Sequence, residues 1–244
     1  MGRVEENRQL LRSLPSGQWD RYLSENSGLP GPRGNLELAF AVAEEAPATL
    51  IHRYAGSQDE YQAVCGAIGL GRLAAGGDEE AIGLLHELAS DSRWRVREGV
   101  AMGLQRLGDT DPSRLLELCN SWLGHSWLVD RAVIAGLCEP RLLVDRVVVD
   151  RVLDTLDEVT ASVAAAAVES RRSDEFRVLR KALAYCWSVA VAAMPGPGFD
   201  RFERWAEVED RDVAWVVRAN LGKSRMRKAD PARWGELASV YGQK

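Results

Sequence analysis

The sequence predicts an all-α protein whose helical hairpins stack into an α-α superhelix, or solenoid. The pattern Asp, Trp, Val, Arg recurs at fixed spacing as D-S-R-W-R-V-R at 91–97 and D-V-A-W-V-V-R at 212–218. The segment G-L-G-R-L at 69–73 returns 34 positions later as G-L-Q-R-L at 103–107. Apolar residues between these segments recur every three or four positions, as on one face of a helix. Self-similarity at such a period is typical of repeats that each form a helix pair.

We expect one domain, residues 1–244, with cap helices at both ends of the repeats. The prolines and glycines of 27–34 interrupt the N-terminal part, and a helix is expected to begin near Asn35. The predicted parts are N-terminal cap helices in 1–46, about five helix pairs in 47–226 and a C-terminal capping helix in 230–244.

Turn and cap residues place the individual helices. Asp91 is predicted to cap the N-terminus of a helix that ends at Gly108. Asp-Pro dipeptides at 111–112 and 230–231 each predict a cap followed by a first-turn proline. The glycines of 69–73 lie in a helical pattern, where small residues permit close helix approach. The predicted helices are 47–55, 58–73, the two of 78–108, 112–123, 127–138, one within 141–169, 174–194, 199–208 after a P-G-P-G break at 195–198, and 212–223.

The segment 78–108 resembles one repeat of the HEAT family. Asp91, Val96 and Arg97 match the turn aspartate and the Val-Arg pair of that repeat. The resemblance implies that such Asp and Arg residues bond to adjacent turns and repeats. It also implies that the second helix of each pair lines a concave face. Tryptophans at equivalent positions are expected to pack at repeat junctions; these are Trp94, Trp127 and Trp215.

The composition indicates a cytoplasmic protein without metal or cofactor. Four dispersed cysteines in apolar stretches predict buried, reduced thiols, and three histidines lack metal-ligand spacing. The N-terminus shows no secretory signal, and the apolar stretch 182–194 is too short to span a bilayer. We therefore expect no membrane association.

Charge is distributed unevenly along the chain, whose net charge is −5. Residues 35–90 carry a net charge of −7, and residues 170–233 carry +5. Basic residues concentrate on the predicted second helices and near the C-terminus, so a basic concave face is expected, which would attract an acidic protein segment or a nucleic-acid backbone. The candidate binding residues are Arg93, Arg95, Arg131, Arg177, Lys181, Lys223 and Arg225.

A second resemblance concerns the HEAT-like DNA glycosylases that excise alkylated purines. The stretch F-R-V-L-R-K-A-L-A-Y-C-W at 176–187 is similar to a segment of that family, with the family's tryptophan falling on Tyr185. Trp94 and Glu98 are four positions apart, hence on one helix face. In such an enzyme the aromatic ring would stack on the cationic nucleoside. Glu98 would stabilise an oxocarbenium-like sugar or direct a water molecule.

These observations predict a non-enzymatic scaffold or adaptor that binds a protein partner on its concave face. The alternative is a DNA-binding HEAT-like repeat protein, with a diverged alkylpurine DNA glycosylase as its enzymatic form and Glu98, Trp94 and Tyr185 as its catalytic candidates. No nucleotide-binding loop, nucleophile elbow or zinc-protease motif points to another enzyme class.

Overall fold

The described residues of the computed structural model, 2–31 and 33–242, form fifteen α-helices and no strand. The all-α class is therefore confirmed. The chain divides into two compact units, the first ending at Asp111 and the second beginning at Pro112. Single 3₁₀ turns occur at 16–18, 140–142 and 170–172. The predicted single continuous solenoid stays a prediction. Two residues of its capping helix, Gln243 and Lys244, lie outside the described residues.

The first unit contains seven helices, which stack as hairpins in two layers. One layer places α3, α5 and α7 side by side, with α1 against α3. The other contains α4 and α6, which pack on α5. This is the stacking of an α-solenoid. The helices are α1 Arg3–Ser13, α2 Trp19–Asn26, α3 Leu36–Glu45, α4 Ala48–Ala55, α5 Glu60–Ala75, α6 Glu79–Leu88 and α7 Trp94–Thr110.

Glycines allow α5 and α7 to approach closely, which agrees with the expectation that the small residues of 69–73 permit close helix approach. A Cβ atom added to Gly71 would lie 1.9 Å from the carbonyl oxygen of Gly103. Around this contact, the repeated arginines of the two glycine segments both turn toward the end of α3. Arg72 donates to the carbonyl oxygens of Ala43 and Ala46 at 2.7 and 2.6 Å, and Arg106 pairs with Glu44. Carbonyl oxygens at a helix C-terminus lack intrahelical N–H donors, and the guanidinium of Arg72 supplies the missing hydrogen bonds.

The second unit repeats the two-layer arrangement. Its helices α9, α11 and α13 lie side by side, and α8, α10 and α12 form the other layer. Buried Asn220 of α13 donates to Leu183 and accepts from the backbone N–H of Ser188, both on α11. The helices are α8 Pro112–Trp122, α9 Trp127–Leu137, α10 Arg146–Ala164, α11 Asp174–Ala193, α12 Pro195–Ala206, α13 Arg211–Leu221, α14 Ser224–Ala229 and α15 Pro231–Tyr241.

Several predicted helix starts are confirmed. Asn35 caps α3 by accepting from Leu38 N–H, and Asp230 caps α15 by accepting from Ala232 and Arg233. Pro112 opens α8. All four cysteines are buried free thiols, as predicted, and burial raises the pKa of Cys65 and Cys119.

Three local predictions are wrong. Asp91 does not cap α7, because its carboxylate is occupied by the backbone N–H and guanidinium of Arg93, the residue at the cap position. Gly108 does not end α7, which continues to Thr110. Asp111, with φ −141° and ψ 88°, then leaves the helical conformation, which is disfavoured for the residue before a proline.

The P-G-P-G segment is not a break between helices but the first turn of α12. Pro195 and Pro197 occupy positions whose missing N–H groups would have no intrahelical acceptor, so both are tolerated there. The chain turns one residue earlier, at Met194, whose backbone is non-helical.

Candidate functional site

One face of α11 in the second unit exposes basic and aromatic side chains. Arg177, Lys181 and Tyr185 follow one another at four-residue spacing, and all three are exposed. The opposite side of the helix buries Phe176 and Leu183. The helical period therefore separates a core face from a basic face within one helix.

Helix α14 adds to this basic face. The guanidinium of Arg225 stacks over the Tyr185 ring at 4.5 Å and donates to its hydroxyl oxygen at 2.9 Å. Lys223 is half-buried and immediately precedes α14. Together, Arg177, Lys181, Tyr185, Lys223 and Arg225 are called the α11 face below.

A pocket of about 360 Å³ lies where the first turns of α11 and α13 meet. Six arginines, one aspartate and one tryptophan surround it. They come from the 3₁₀ turn before α11, from α11 itself and from α13. The lining residues are Arg171, Arg172, Arg177, Arg180, Arg211, Asp212, Trp215 and Arg218, and we call this site the arginine pocket.

Asp212 holds two of these arginines in place. Its buried carboxylate accepts from Arg171 at 2.8 Å and from Arg180. Arg171 is further fixed by Asp210 and by backbone carbonyls at the end of α10. Burial opposes the charged form of Asp212, but the hydrogen bonds from Arg171 and Arg180 outweigh it and lower the pKa of this carboxyl. The Asp212–Arg180 pair links successive copies of the repeated pattern, as the HEAT resemblance implies.

The other four arginines are less tightly held. Arg211 is 74% exposed, and its Nε lies 3.4 Å from the Asp212 carboxylate. Among the described residues, Arg172 and Arg218 form no ion pair, and Arg177 pairs at 2.7 Å with Asp174, which is 90% exposed. The guanidinium of Arg180 also lies over the Trp215 ring at 4.4 Å. The pocket therefore combines residues that are held rigidly, Arg171, Arg180 and Asp212, with exposed guanidinium groups.

A second pocket, of about 310 Å³, lies in the first unit and is mostly apolar. It brings together the predicted residues Trp94, Arg95 and Glu98 with the buried ring of Tyr61. Arg95 stacks on Trp94 at 4.5 Å and pairs with Glu60 at 3.1 Å. Glu98 also interacts with other groups of the protein. Trp94 is 50% exposed, so the expectation that it packs at a repeat junction is wrong; Trp127, by contrast, packs edge-on against Phe176.

The remaining candidates serve the protein's own structure or lie elsewhere. Arg93 pairs with Asp91 and donates to the carbonyl of Ser57, so its guanidinium is largely occupied. Arg131 is only 8% exposed and is not part of a solvent-accessible basic surface. Tyr185 belongs to the α11 face and does not line the first unit's pocket.

Sequence reasoning missed most of the arginine pocket. Arg172 and Arg211 were not singled out, and Trp215 was interpreted only as a packing residue. Two signals were present: the adjacent arginines 171–172 and the repeated pattern containing Asp212, Trp215 and Arg218. Neither reveals that α11 and α13 bring these residues to one pocket. The described part of the chain contains no group of three or more metal-ligating residues and no helix able to cross a membrane.

Comparison with known proteins identifies no family. No family model matches the chain, and neither does any curated protein. Two engineered proteins of known structure are similar to this chain. The first is 15% identical, and the match covers 94% of this chain and 98% of the engineered protein with a TM-score of 0.37. The second is 17% identical, and the match covers 95% of this chain and 100% of the engineered protein with a TM-score of 0.38. A designed armadillo repeat protein, solved in complex with the peptide (KR)4, shows 12% identity, covers 92% of this chain and 100% of its own, and has a TM-score of 0.39. With TM-scores this low, none of these similarities assigns a function.

Proposed function

We propose that this protein is a non-enzymatic helical-repeat scaffold that binds an acidic segment of a protein partner on the α11 face. The observation that carries the proposal is the exposed row Arg177, Lys181 and Tyr185, extended by Arg225 across to α14. A row of cations beside an aromatic ring suits a chain of carboxylates interspersed with apolar residues. Because the helices beneath are packed, this surface is presented without a folding step.

Charge reversal on the α11 face is expected to weaken binding of acidic peptides. The probe is a fluorescein-labelled library of 15-residue peptides rich in Glu, Asp and Leu, measured by anisotropy with the full chain. The double variant Lys181→Glu/Arg225→Glu is expected to bind about tenfold more weakly at low salt, because attraction becomes repulsion.

The matched control is Arg3→Glu/Arg146→Glu, which changes net charge equally. Both control arginines are exposed and form no ion pair among the described residues. An equal loss in the control, or no binding of acidic peptides by the unaltered chain, would contradict the proposal.

The pocket of the first unit favours a second candidate function, a DNA-binding repeat protein of the alkylpurine glycosylase kind. Its support is the proximity of an aromatic ring, Trp94, and a carboxylate, Glu98, beside Arg95; the resembled family usually has aspartate where this chain has Glu98. An aromatic face could stack on a cationic base while the carboxylate stabilises a developing positive charge.

For this second candidate, labelled duplex DNA is expected to bind at micromolar concentration and about 50 mM salt and to dissociate by about 200 mM. Excision of an alkylated purine would fall about 100-fold or more in Glu98→Gln, because the stabilising carboxylate is lost. No duplex binding at the lower salt concentration eliminates this candidate, and unchanged excision by the variant removes Glu98 from the chemistry.

A further inference from the structure

The arginine pocket is chemically more specific than the rest of the basic surface. All six of its basic residues are arginines, whereas the α11 face also uses lysine. A guanidinium presents a planar fork of N–H donors that matches the oxygens of a phosphate, and it keeps its charge at every physiological pH. A lining whose basic residues are all arginines therefore suits the recognition of a phosphoryl group.

The pocket also separates supporting arginines from binding arginines. Arg171 and Arg180 are tied to buried Asp212, so their positions are fixed before any ligand arrives. Arg172 and Arg218 have no ionic partner among the described residues. With six cations and one carboxylate, the lining carries a formal charge of +5. Such converging cations would bind a compact anion with two negative charges more strongly than a carboxylate, which has only one.

We propose that the arginine pocket binds a phosphorylated side chain of the acidic segment, with Arg172, Arg177 and Arg218 donating to the phosphoryl oxygens. This inference rests on the proposed protein-binding function. It adds regulation to that function, because phosphorylation of the partner would strengthen the complex. Trp215, held beneath Arg180, forms the wall against which the aliphatic part of the modified residue packs.

Acidic residues around the pocket favour a phosphopeptide over a nucleic acid. Asp174 pairs with Arg177 at the rim, Asp210 pairs with Arg171, and Glu175 and Glu209 are exposed beside them in the chain. A polynucleotide carries a charge at every step of its backbone and would meet these carboxylates. A single phosphoryl group would enter the pocket while the carboxylates of the acidic segment bind Lys181 and Arg225 of the α11 face.

The test uses three versions of the acidic peptide library that differ only at a central position occupied by phosphoserine, serine or glutamate. The full chain is expected to bind the phosphoserine library about tenfold more tightly than the glutamate library. The double variant Arg172→Ala/Arg218→Ala is expected to lose this preference, to within about twofold, with a much smaller loss of affinity for the glutamate library than for the phosphoserine library. Because neither Arg172 nor Arg218 forms an ion pair with any residue that the structure describes, the melting temperature of the variant should match that of the unaltered chain.

The control is Arg3→Ala/Arg146→Ala, which should keep the phosphoserine preference. Equal binding of all three libraries by the unaltered chain would overturn the phosphoryl proposal and leave the scaffold function standing. Absence of binding to every library would overturn the scaffold function itself. Displacement of the phosphoserine library by a single-stranded oligonucleotide at equal concentration would instead identify the pocket as a nucleic-acid site and overturn the proposal.

Discussion

The Gly71→Ala variant is expected to unfold at markedly lower urea concentration than the unaltered protein. The added methyl group would lie 1.9 Å from the carbonyl oxygen and 2.5 Å from the carbonyl carbon of Gly103. Both obstacles are backbone atoms, which cannot rotate away as a side chain can, so α5 and α7 must separate. Overpacking of this kind costs about 3 kcal/mol, and far-ultraviolet circular dichroism during urea or thermal unfolding measures it.

A matched glycine in the same unit is the control for this prediction. Gly83 is an exposed residue of α6, and an added Cβ meets nothing within 4 Å. Gly83→Ala is therefore expected to raise stability by about 0.5–1 kcal/mol, because alanine loses less backbone entropy in a helix. If Gly71→Ala were as stable as Gly83→Ala, the close approach of α5 and α7 would not exist in solution.

The Asp212→Ala variant is expected to destabilise the second unit by about 3 kcal/mol, because breaking a buried ion pair leaves uncompensated charge behind. Arg171 would keep Asp210 and its backbone carbonyl acceptors, whereas Arg180, whose side chain is 25% exposed, would lose the carboxylate it pairs with. Asp174→Ala is the matched control, since that carboxylate is 90% exposed and its loss should cost less than about 0.5 kcal/mol. Urea unfolding at pH 7 distinguishes the two variants, and equal stability would show that Asp212 is not the anchor of the pocket.

The loss of stability caused by Asp212→Ala is expected to depend on pH. The pKa of Asp212 is lowered in the folded protein from its ordinary value of 3.8. Its stabilising contribution is therefore present above that value and is lost as the pH falls through the folded pKa. The stability difference between the unaltered protein and Asp212→Ala is expected to be largest at pH 7 and to shrink steadily below about pH 4. A difference independent of pH would mean that the charge of Asp212 contributes nothing.

Local chemistry explains why many helix boundaries could be predicted. Asn35, Asp230 and Pro112 act within three residues of themselves, through side-chain caps and restricted backbone angles. The same locality explains the failure at 195–198, where two prolines and two glycines fit equally a break or a first helical turn. Which of these occurs depends on the packing of the following residues, Phe199 and Phe202, which are fully buried.

The candidate sites depend on tertiary contacts that cannot be predicted from the sequence alone. By itself, the sequence determined the all-α class, the hairpin repeat, the small residues at 69–73 that permit close helix approach and the basic character of α11, because these follow from periodicity and residue size along short stretches. Only the tertiary structure decided that α7 is the helix that approaches Gly71, that Arg131 is buried, that Trp94 is exposed and that six arginines between positions 171 and 218 converge on one pocket. Burial and convergence are set by which helix faces meet, and that choice rests on the packing of side chains far apart in the chain.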